Sequence, residues 1–307
     1  YRMAEEYCRD ELLSFTLEAT KKDRLIATQT SLAGKGHEAM RMHLARLSVE
    51  AAEIIVEDQS GTIIADPTRV KVLSQSGGAI TDSQLVTGLV LAKKRILEAM
   101  PKKIGAGKIL IINGGIERRA MASEMKLNVT STGVLQSFRD KEMEILLQQV
   151  NHLQSIGVTL LACREGIDDD IRSALNDAGI QAFRRVARDD LDLLARGCGA
   201  TLVHDVKHAT IQDLGAFIES RNEMWNGVSH WIVETEEGGA TFIARGSTID
   251  VLGEVERCFG DALGVACQLI EEPLLLAGGG ATQIALARKL RRHGETIPGR
   301  EQLAIEA

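Results

Sequence analysis

Three consecutive glycines, Gly278, Gly279 and Gly280, stand between an apolar run and the start of an amphipathic helical pattern. Backbone N–H groups at a helix N-terminus, reached through residues without Cβ atoms, are suited to binding a phosphate. A flexible turn would use the same residues, and three glycines alone do not separate the two interpretations. The triplet is therefore a candidate phosphate contact that needs support from elsewhere in the chain.

Asp261 lies on the polar side of a long predicted helix, in register with Glu254 and Arg257. Gly260 and Gly264 flank it, although a glycine within a helix costs about 1 kcal/mol relative to alanine. Helix surface without side chains beside a carboxylate would let a ligand or another backbone come close. Asp261 could therefore orient a water molecule or hold a magnesium ion. The simpler alternative is a solvated surface carboxylate.

Lys35 stands between Gly34 and Gly36, after Thr30 and Ser31. A phosphate-binding P-loop needs Ser or Thr directly after its lysine, and here a glycine follows, so the likeness to that motif is superficial. A lysine on a glycine loop could still contact a phosphate. A plain surface turn is the alternative.

His204 and His208, in the run HDVKH, imitate the zinc-binding motif H-E-x-x-H. The acid between them is Asp205 rather than Glu, and the run follows a predicted strand instead of lying within a helix. The sequence offers no obvious third ligand. We therefore expect no metal site here.

Composition excludes several classes of function. The net charge of −7 argues against a nucleic-acid partner, because phosphate contacts need a basic surface. The longest apolar runs are strand-sized and no signal peptide is recognisable, so we expect no membrane association. The five cysteines are scattered without a C-x-x-C pair, as in reduced proteins. These features together predict a cytoplasmic protein.

The elements that must position these residues change in character along the chain. The first 57 residues are helical in pattern, strands mix with helices from Thr87, and helix returns after a strand at Ala240–Arg245. Amphipathic helices are predicted at Arg139–Ile156 and Asp168–Ala178. Their alternation with buried strands predicts a parallel sheet covered by helices, in a domain inserted between two helical stretches. The predicted buried strands are Lys108–Asn113, Val158–Cys163, Ala182–Val186 and Ala200–Val203.

Several longer strings, in family order along the chain, resemble group II (archaeal thermosome-type) chaperonin subunits. They are SGGAITDSQLVTGLVL (Ser76–Leu91), MPKKI (Met100–Ile104), CREGIDDDIRSALNDAGIQAFRRVARDDLDLLARGCGA (Cys163–Ala200), ARGSTIDVLGEVERCFGDALGV (Ala244–Val265), AGGGA (Ala277–Ala281) and GREQLAIEA (Gly299–Ala307). YRMAEE and TSLAGKG near the start match the family's exit from its first equatorial segment.

The resemblance implies a multidomain α + α/β fold, with helical equatorial and intermediate parts and an inserted α/β apical domain that bears a helical protrusion. Its order predicts five segments along the chain. These are an equatorial remnant at 1–20, the first intermediate part at 21–88, the apical substrate-binding domain at 89–240 with a lid protrusion at about 123–146, the second intermediate part at 241–277 and an equatorial remnant at 278–307.

The resemblance also implies roles for the residues singled out above. Asp261 falls on the family's catalytic aspartate, which activates water for attack on the γ-phosphate of ATP. Gly278, Gly279 and Gly280 match the family's glycines that lie alongside the nucleotide. Lys35 falls in the loop proposed to sense the γ-phosphate. The implied cofactors are ATP and Mg²⁺ in the full-length parent.

The implied partners are unfolded or partly folded polypeptides and, for the full-length parent, sister subunits in a double ring. Two groups of residues are the candidate polypeptide contacts, one on the lid and one on the Asp168–Ala178 helix. They are Val134, Leu135 and Phe138, and Ile171, Arg172 and Leu175.

The family's main phosphate loop, an Asp-Gly-Asp-Gly-Thr-Thr run, does not occur in these residues, and both ends of the chain resemble cuts within helical patterns. We therefore expect an ATP-dependent protein-folding chaperonin subunit whose present segment binds no nucleotide and hydrolyses no ATP by itself. The alternative is an ATPase-inactive chaperonin-like binding or scaffold module. An unrelated α/β enzyme with a phosphate loop fits the patterns, but not the ordered strings.

Overall fold

The computed structural model describes residues 2–118, 132–235, 239–299, 302 and 305; for residues 2–3 and 132–138 it describes the backbone alone. The chain divides into two compact units. Unit 1 comprises Tyr1–Glu53, Asp58–Ala65 and Cys258–Ala307, and unit 2 comprises Ile54–Glu57 and Asp66–Arg257. None of the described helices is long and apolar enough to cross a membrane.

The helices and strands are numbered in chain order. The α-helices in the described residues are α1 (Arg2–Phe15), α2 (Lys21–Ser31), α3 (Glu38–Ile54), α4 (Thr132–Ser155), α5 (Arg172–Asp177), α6 (Arg188–Cys198), α7 (Ile249–Glu271) and α8 (Ala281–Glu295). The strands are β1 (Leu17–Glu18), β2 (Val56–Gln59), β3 (Thr62–Ala65), β4 (Val70–Ser76), β5 (Gln84–Thr87), β6 (Leu89–Leu91), β7 (Lys103–Ile104), β8 (Gly107–Ile112), β9 (Leu160–Cys163), β10 (Gln181–Phe183), β11 (Leu202–Val203), β12 (Gly215–Phe217), β13 (Glu219–Trp225), β14 (Val228–Glu234), β15 (Ala240–Gly246) and β16 (Leu274–Leu275).

Unit 1 is mainly helical, and local sequence explains where its helices begin. Thr20 and Asp23 form a capping box at the start of α2, in which the Asp23 carboxylate accepts from the Thr20 N–H at 3.1 Å. Such a box satisfies N–H groups that the first helical turn leaves without partners. Helices α1 and α8 pack together, with the rings of Tyr7 and His293 stacked at 4.0 Å and Lys289 paired with Glu11.

The sequence predicts one apolar stripe along α7, from Val251 to Ile270, and the structure confirms its middle, whereas Val251 and Ile270 at its ends are only partly buried. Val255, Phe259, Leu263 and Ala266 are all buried, spaced at three and four residues along the helix. This spacing places them on one face, so the polar residues between them face away from the core. Asp261 is one of those polar residues and is exposed.

Unit 2 contains the predicted parallel sheet. Its strand order is β10-β9-β8-β11, all parallel, with β12 antiparallel to β8. All four predicted strands are confirmed, and their ends agree with the prediction to within three residues. One face of the sheet, with Leu110 and Ile112, packs against α4 and α5. The other face, with Ile109 and Ile111, packs against α6 and also against strands β6 and β14, so helices cover only part of it.

Helix α4 starts seven residues before the predicted Arg139. The apolar stripe that the sequence predicts on this helix comprises Met143, Leu146, Leu147, Val150 and Leu153. Leu146, Val150 and Leu153 are buried as predicted, whereas Leu147 is 38% exposed. The predicted helix Asp168–Ala178 is a 3₁₀ turn at Asp169–Ile171 followed by the short helix α5.

Two further sheets in unit 2 were not predicted. One has the order β6-β14-β13-β7 and the other the order β4-β15-β5. The hairpin between β13 and β14 turns at Asn226 and Gly227, whose φ angles are 50° and 79°. An Asn-Gly pair between two alternating segments is a strong hairpin signal that could have revealed this sheet. Trp231 on β14 stacks on Phe183 at 3.9 Å, which anchors the hairpin on the core.

Candidate functional site

The loop that carries Lys35 connects α2 to α3 in unit 1. Gly34 and Gly36 adopt positive φ angles of 82° and 56°, a region that side chains with a Cβ rarely enter. The Lys35 N–H donates to the Leu32 carbonyl at 3.0 Å, and Arg41 Nη1 donates to the Gly36 carbonyl at 3.0 Å. The glycines therefore allow a tight turn, and the hydrogen bond from Arg41 of α3 stabilises the end of that turn.

Asp261 is presented by α7 between two glycines. A Cβ at Gly260 or Gly264 would meet nothing within 4 Å outside the local helix backbone, so the surface on both sides of the carboxylate is open. The Asp261 side chain is 50% exposed. The predicted bare helix surface beside this carboxylate is thus present.

Lys35 Nζ donates a hydrogen bond to Asp261 Oδ2, although the two residues are 226 positions apart in sequence. The side chains are 30% and 50% exposed. An ion pair this exposed contributes about 0.2–1 kcal/mol, so it adds little to stability. The contact joins the two residues to which the resemblance gives phosphate-sensing and water-activating roles.

A cleft of about 270 Å³ opens beside the same loop. Its lining includes Thr30, Gly34 and Arg41. A hydroxyl, a glycine backbone and a guanidinium are groups that bind phosphate oxygens. The cleft therefore extends the polar surface around Lys35.

The glycine triplet forms the turn into α8 in unit 1. Gly279 and Gly280 have φ angles of 66° and 80°, and a Cβ at any of the three glycines would meet nothing within 4 Å. The Ala281 N–H donates to the Gly278 carbonyl at 3.2 Å, and Thr282 Oγ1 donates to the Ala277 carbonyl at 2.7 Å. A turn this open lets a phosphate approach the backbone, so these residues fit the nucleotide that the resemblance implies.

The three candidate polypeptide contacts on the Asp168–Ala178 segment occupy different environments. Ile171 and Leu175 are 0% exposed and belong to the core beneath α4 and the sheet. A short helix on a sheet turns its apolar residues inward, so these two side chains pack the domain in this conformation. Arg172 is only 21% exposed, with its guanidinium paired with Asp169.

The candidate contacts on the lid fall at the start of α4. Val134, Leu135 and Phe138 lie in its first two turns, and their side chains are outside the described residues. Residues 123–131 of the predicted protrusion are also outside the described residues. Both assignments therefore remain predictions.

Sequence reasoning missed a network of ion pairs beyond the carboxyl ends of the parallel strands in unit 2. Arg118 Nε lies 3.4 Å from Asp168 Oδ2 and its Nη2 contacts Asp170, while Arg184 Nη1 lies 3.3 Å from Asp169 Oδ1. The only sequence signal is the run of three aspartates. The pattern of strands shows that their loops meet at one edge, but not which arginines reach them.

The cysteines have a structural role. Cys163, Cys198, Cys258 and Cys267 are buried and Cys8 is partly buried. Burial raises the pKa of Cys198 to about 12 and that of Cys163 further. Thiols with such a high pKa are poor nucleophiles, so Cys163 and Cys198 serve as small apolar core residues.

The TCP-1/cpn60 chaperonin family matches residues 1–307, and the chain belongs to this family. It is similar to thermosome subunit beta of Methanothermobacter thermautotrophicus (34% identity over 310 residues) and to the thermosome subunit of Methanocaldococcus jannaschii (34% over 312 residues). Each match covers 100% of this chain and 57% of the relative.

The fold is similar to the open-state monomer of a group II chaperonin from Methanococcoides burtonii. The TM-score is 0.79 at 29% identity, over 100% of this chain and 71% of that one. The predicted resemblance and fold class are therefore confirmed. The chain spans a little over half the length of the curated relatives it matches.

Proposed function

We propose that this chain forms the client-binding and nucleotide-responding middle of an ATP-dependent protein-folding chaperonin subunit. The observation that carries the proposal is the contact between Lys35 and Asp261. A lysine on a glycine loop and a carboxylate on a glycine-flanked helix would be separate surface features if the fold did not join them. The family to which the chain belongs supports the same proposal.

ATP with Mg²⁺ would supply the free energy for chamber closure in the full-length parent. In this chain the backbone of Gly278, Gly279 and Gly280 would bind phosphate oxygens, and Asp261 would orient the attacking water and accept its proton. Lys35 can reach Asp261 as the structure stands, and a bound phosphate would compete for the same ammonium. That competition would make the lysine a sensor of nucleotide.

The inserted α/β part of unit 2 is proposed as the apical domain at 89–240, with α4 leading into the built-in lid. Its clients would be unfolded or partly folded polypeptides, and sister subunits would complete a double ring in the cytoplasm. The support for client binding is two exposed apolar side chains of α4, Ile145 and Leu147, which are 45% and 38% exposed on different faces of the helix. Each offers an apolar contact to an unfolded polypeptide.

Suppression of aggregation tests client binding on the chain itself. The chain should slow the light scattering of a chemically denatured enzyme after dilution, without ATP. Changing Val134, Leu135 and Phe138 to serine should weaken this effect. The matched control is Ile211→Ser with Ile218→Ser, which changes side chains that are 60% and 45% exposed on other elements. Equal loss in both variants would contradict a specific role of the lid.

The scaffold alternative makes a different prediction. A module without ATPase function would not require an aspartate and a lysine in contact beside an open glycine surface, because that arrangement serves ATP hydrolysis. A complete subunit containing this segment should therefore hydrolyse ATP. A complete, folded subunit that binds clients but turns over no ATP would favour the scaffold.

A further inference from the structure

The parallel sheet of unit 2 has a topological switch point between β8 and β11. From β8 the chain adds β9 and then β10 on one side, whereas β11 pairs with the opposite side of β8 through Leu202–Ile111 and Val203–Ile112. In open α/β sheets, ligands bind in the crevice beyond the carboxyl ends of the strands at such a point. The loops after Ile112 and Val203 therefore form the part of the sheet edge where a ligand would bind.

A crevice of about 170 Å³ lies at this position. We define the switch-point crevice by the residues that the two loops contribute to its lining, which are Gly115, Glu117, Arg118, Asp205 and Lys207. This volume suits one side chain or a comparably small molecule. Topology and cavity thus identify the same place independently.

Helix α4 forms the remaining wall. Its contributions are Glu142, Ile145, Leu146 and Gln149, whose spacing of three, four and seven residues places them on one helix face. The middle of this face is apolar and its ends are polar. A ligand along it would therefore have an apolar stem and a polar head.

The charges of the lining residues determine whether the polar head of a bound ligand is cationic or anionic. Glu117, Glu142 and Asp205 supply three carboxylates to the lining. Of the two cations, Arg118 is already paired with aspartates outside the crevice, and Lys207 is exposed and can extend into solvent. The crevice is therefore negative overall.

The loop that carries Glu117 lies close to the loop after β9. A Cβ at Gly166 would lie 1.7 Å from Glu117 Oε1, and a Cβ at Gly115 would lie 2.5 Å from the Gly166 carbonyl oxygen. A glycine at 115 allows the two loops to approach each other this closely, and the exposed Glu117 side chain lies against Gly166.

We propose that the switch-point crevice binds the side chain of a lysine or arginine from a bound polypeptide. The apolar stem packs on Ile145 and Leu146, and the cationic head lies among Glu117, Glu142 and Asp205. This inference rests on the proposed function, because it assigns the crevice to the recognition of clients. It would bias the chaperonin towards clients with basic residues between apolar ones.

The probe is a small amide that carries one side chain, titrated into the ¹⁵N-labelled chain and followed by NMR. Nα-acetyl-lysine methylamide should shift the backbone amide signals of Gly115 and Lys207, and the neutral norleucine analogue should bind more weakly. Glu142→Gln should weaken binding of the lysine probe about threefold to tenfold, since one charge-assisted partner is lost. The control is Glu144→Gln, on the same helix but outside the lining, which should leave binding unchanged.

Equal binding of the norleucine and lysine probes, or no shift at Gly115 and Lys207, would overturn the inference. So would equal weakening by Glu142→Gln and Glu144→Gln. Aggregation suppression separates this failure from that of the proposed function. If the chain suppresses aggregation while the probe does not bind, only the crevice assignment is wrong. If the chain suppresses no aggregation, the proposed client binding fails and the crevice loses its assigned role with it.

Discussion

Each unit of this chain contains a lysine–aspartate pair, and the two pairs differ in what surrounds them. Lys35 and Asp261 in unit 1 have side chains 30% and 50% exposed, on a glycine loop and a glycine-flanked helix. Lys71 and Asp190 in unit 2 are 19% and 20% exposed and join β4 to the first turn of α6. The same two functional groups therefore meet once at an open surface and once within packed structure.

The difference shows that the solvent exposure of an ion pair determines how much the pair matters for stability. Removing one partner of a largely buried pair leaves a charge without compensation, which is costly. Removing one partner of an exposed pair leaves a charge that water can solvate, which costs little. The pair in unit 2 is thus suited to holding structure, and the pair in unit 1 is suited to exchanging partners with a ligand.

The largest expected effect concerns Asp261, in a complete subunit that contains this segment. Asp261→Asn should leave ATP binding nearly intact and slow hydrolysis by about two to four orders of magnitude, because a positioned general base is lost. Single-turnover hydrolysis and equilibrium ATP binding measure the two effects. Glu254→Gln, on the same helix, is the control. Near-normal hydrolysis in Asp261→Asn would remove this residue from the site. The exposed pair would then have no catalytic role to distinguish it from the pair in unit 2.

The next effect concerns the pair in unit 2. Lys71→Met should lower the free energy of unfolding by about 1–3 kcal/mol, because the Asp190 carboxylate keeps its partial burial but loses its partner. Both tryptophans of the chain, Trp225 and Trp231, lie in unit 2, so their fluorescence during urea unfolding reports this change. The double variant Lys71→Met with Asp190→Leu should recover part of the loss. A single variant as stable as the parent would show that the buried pair is dispensable.

A smaller effect is expected from the matched substitution in unit 1. Lys35→Met should change the free energy of unfolding by less than about 1 kcal/mol, as for other exposed pairs. Hydrogen exchange of the amides of residues 38–53 and 258–271, the parts of α3 and α7 in unit 1, measures this change within unit 1. Destabilisation as large as that of Lys71→Met would contradict the division of roles between the pairs.

The smallest expected effect is a dependence of the stability of unit 2 on pH. His230 is 5% exposed, and burial lowers its pKa below the ordinary 6.5, because the folded state disfavours the charged imidazolium. The unfolded chain then binds a proton more readily, and the stability that His230 contributes is present above pH 6.5 and lost as pH falls through the folded-state pKa. His230→Gln should flatten the change in urea midpoint between about pH 7.5 and 5.5. An unchanged slope would exclude His230 as its source.

Much of the candidate site could be predicted because short motifs carry it. Asp261 between glycines, Lys35 between glycines and the triplet at Gly278 are all visible as strings. The ordered strings also predicted the family, which the comparison confirms. By contrast, Ile171 and Leu175 were candidates for client contact, and the fold buries both. An apolar periodicity shows that a helix has an apolar face, but not whether that face meets the core or a partner.

The sequence by itself determined the kinds of elements, because the periods of two and 3.6 residues in its apolar pattern select strands and helices before any packing occurs. Only the tertiary structure decided that Lys35 reaches Asp261, that Lys71 reaches Asp190, and that the loops after β8 and β11 enclose a crevice against α4. These contacts join residues distant in the chain. Local pattern contains no information on them, since their formation depends on how sheets and helices assemble around a shared core.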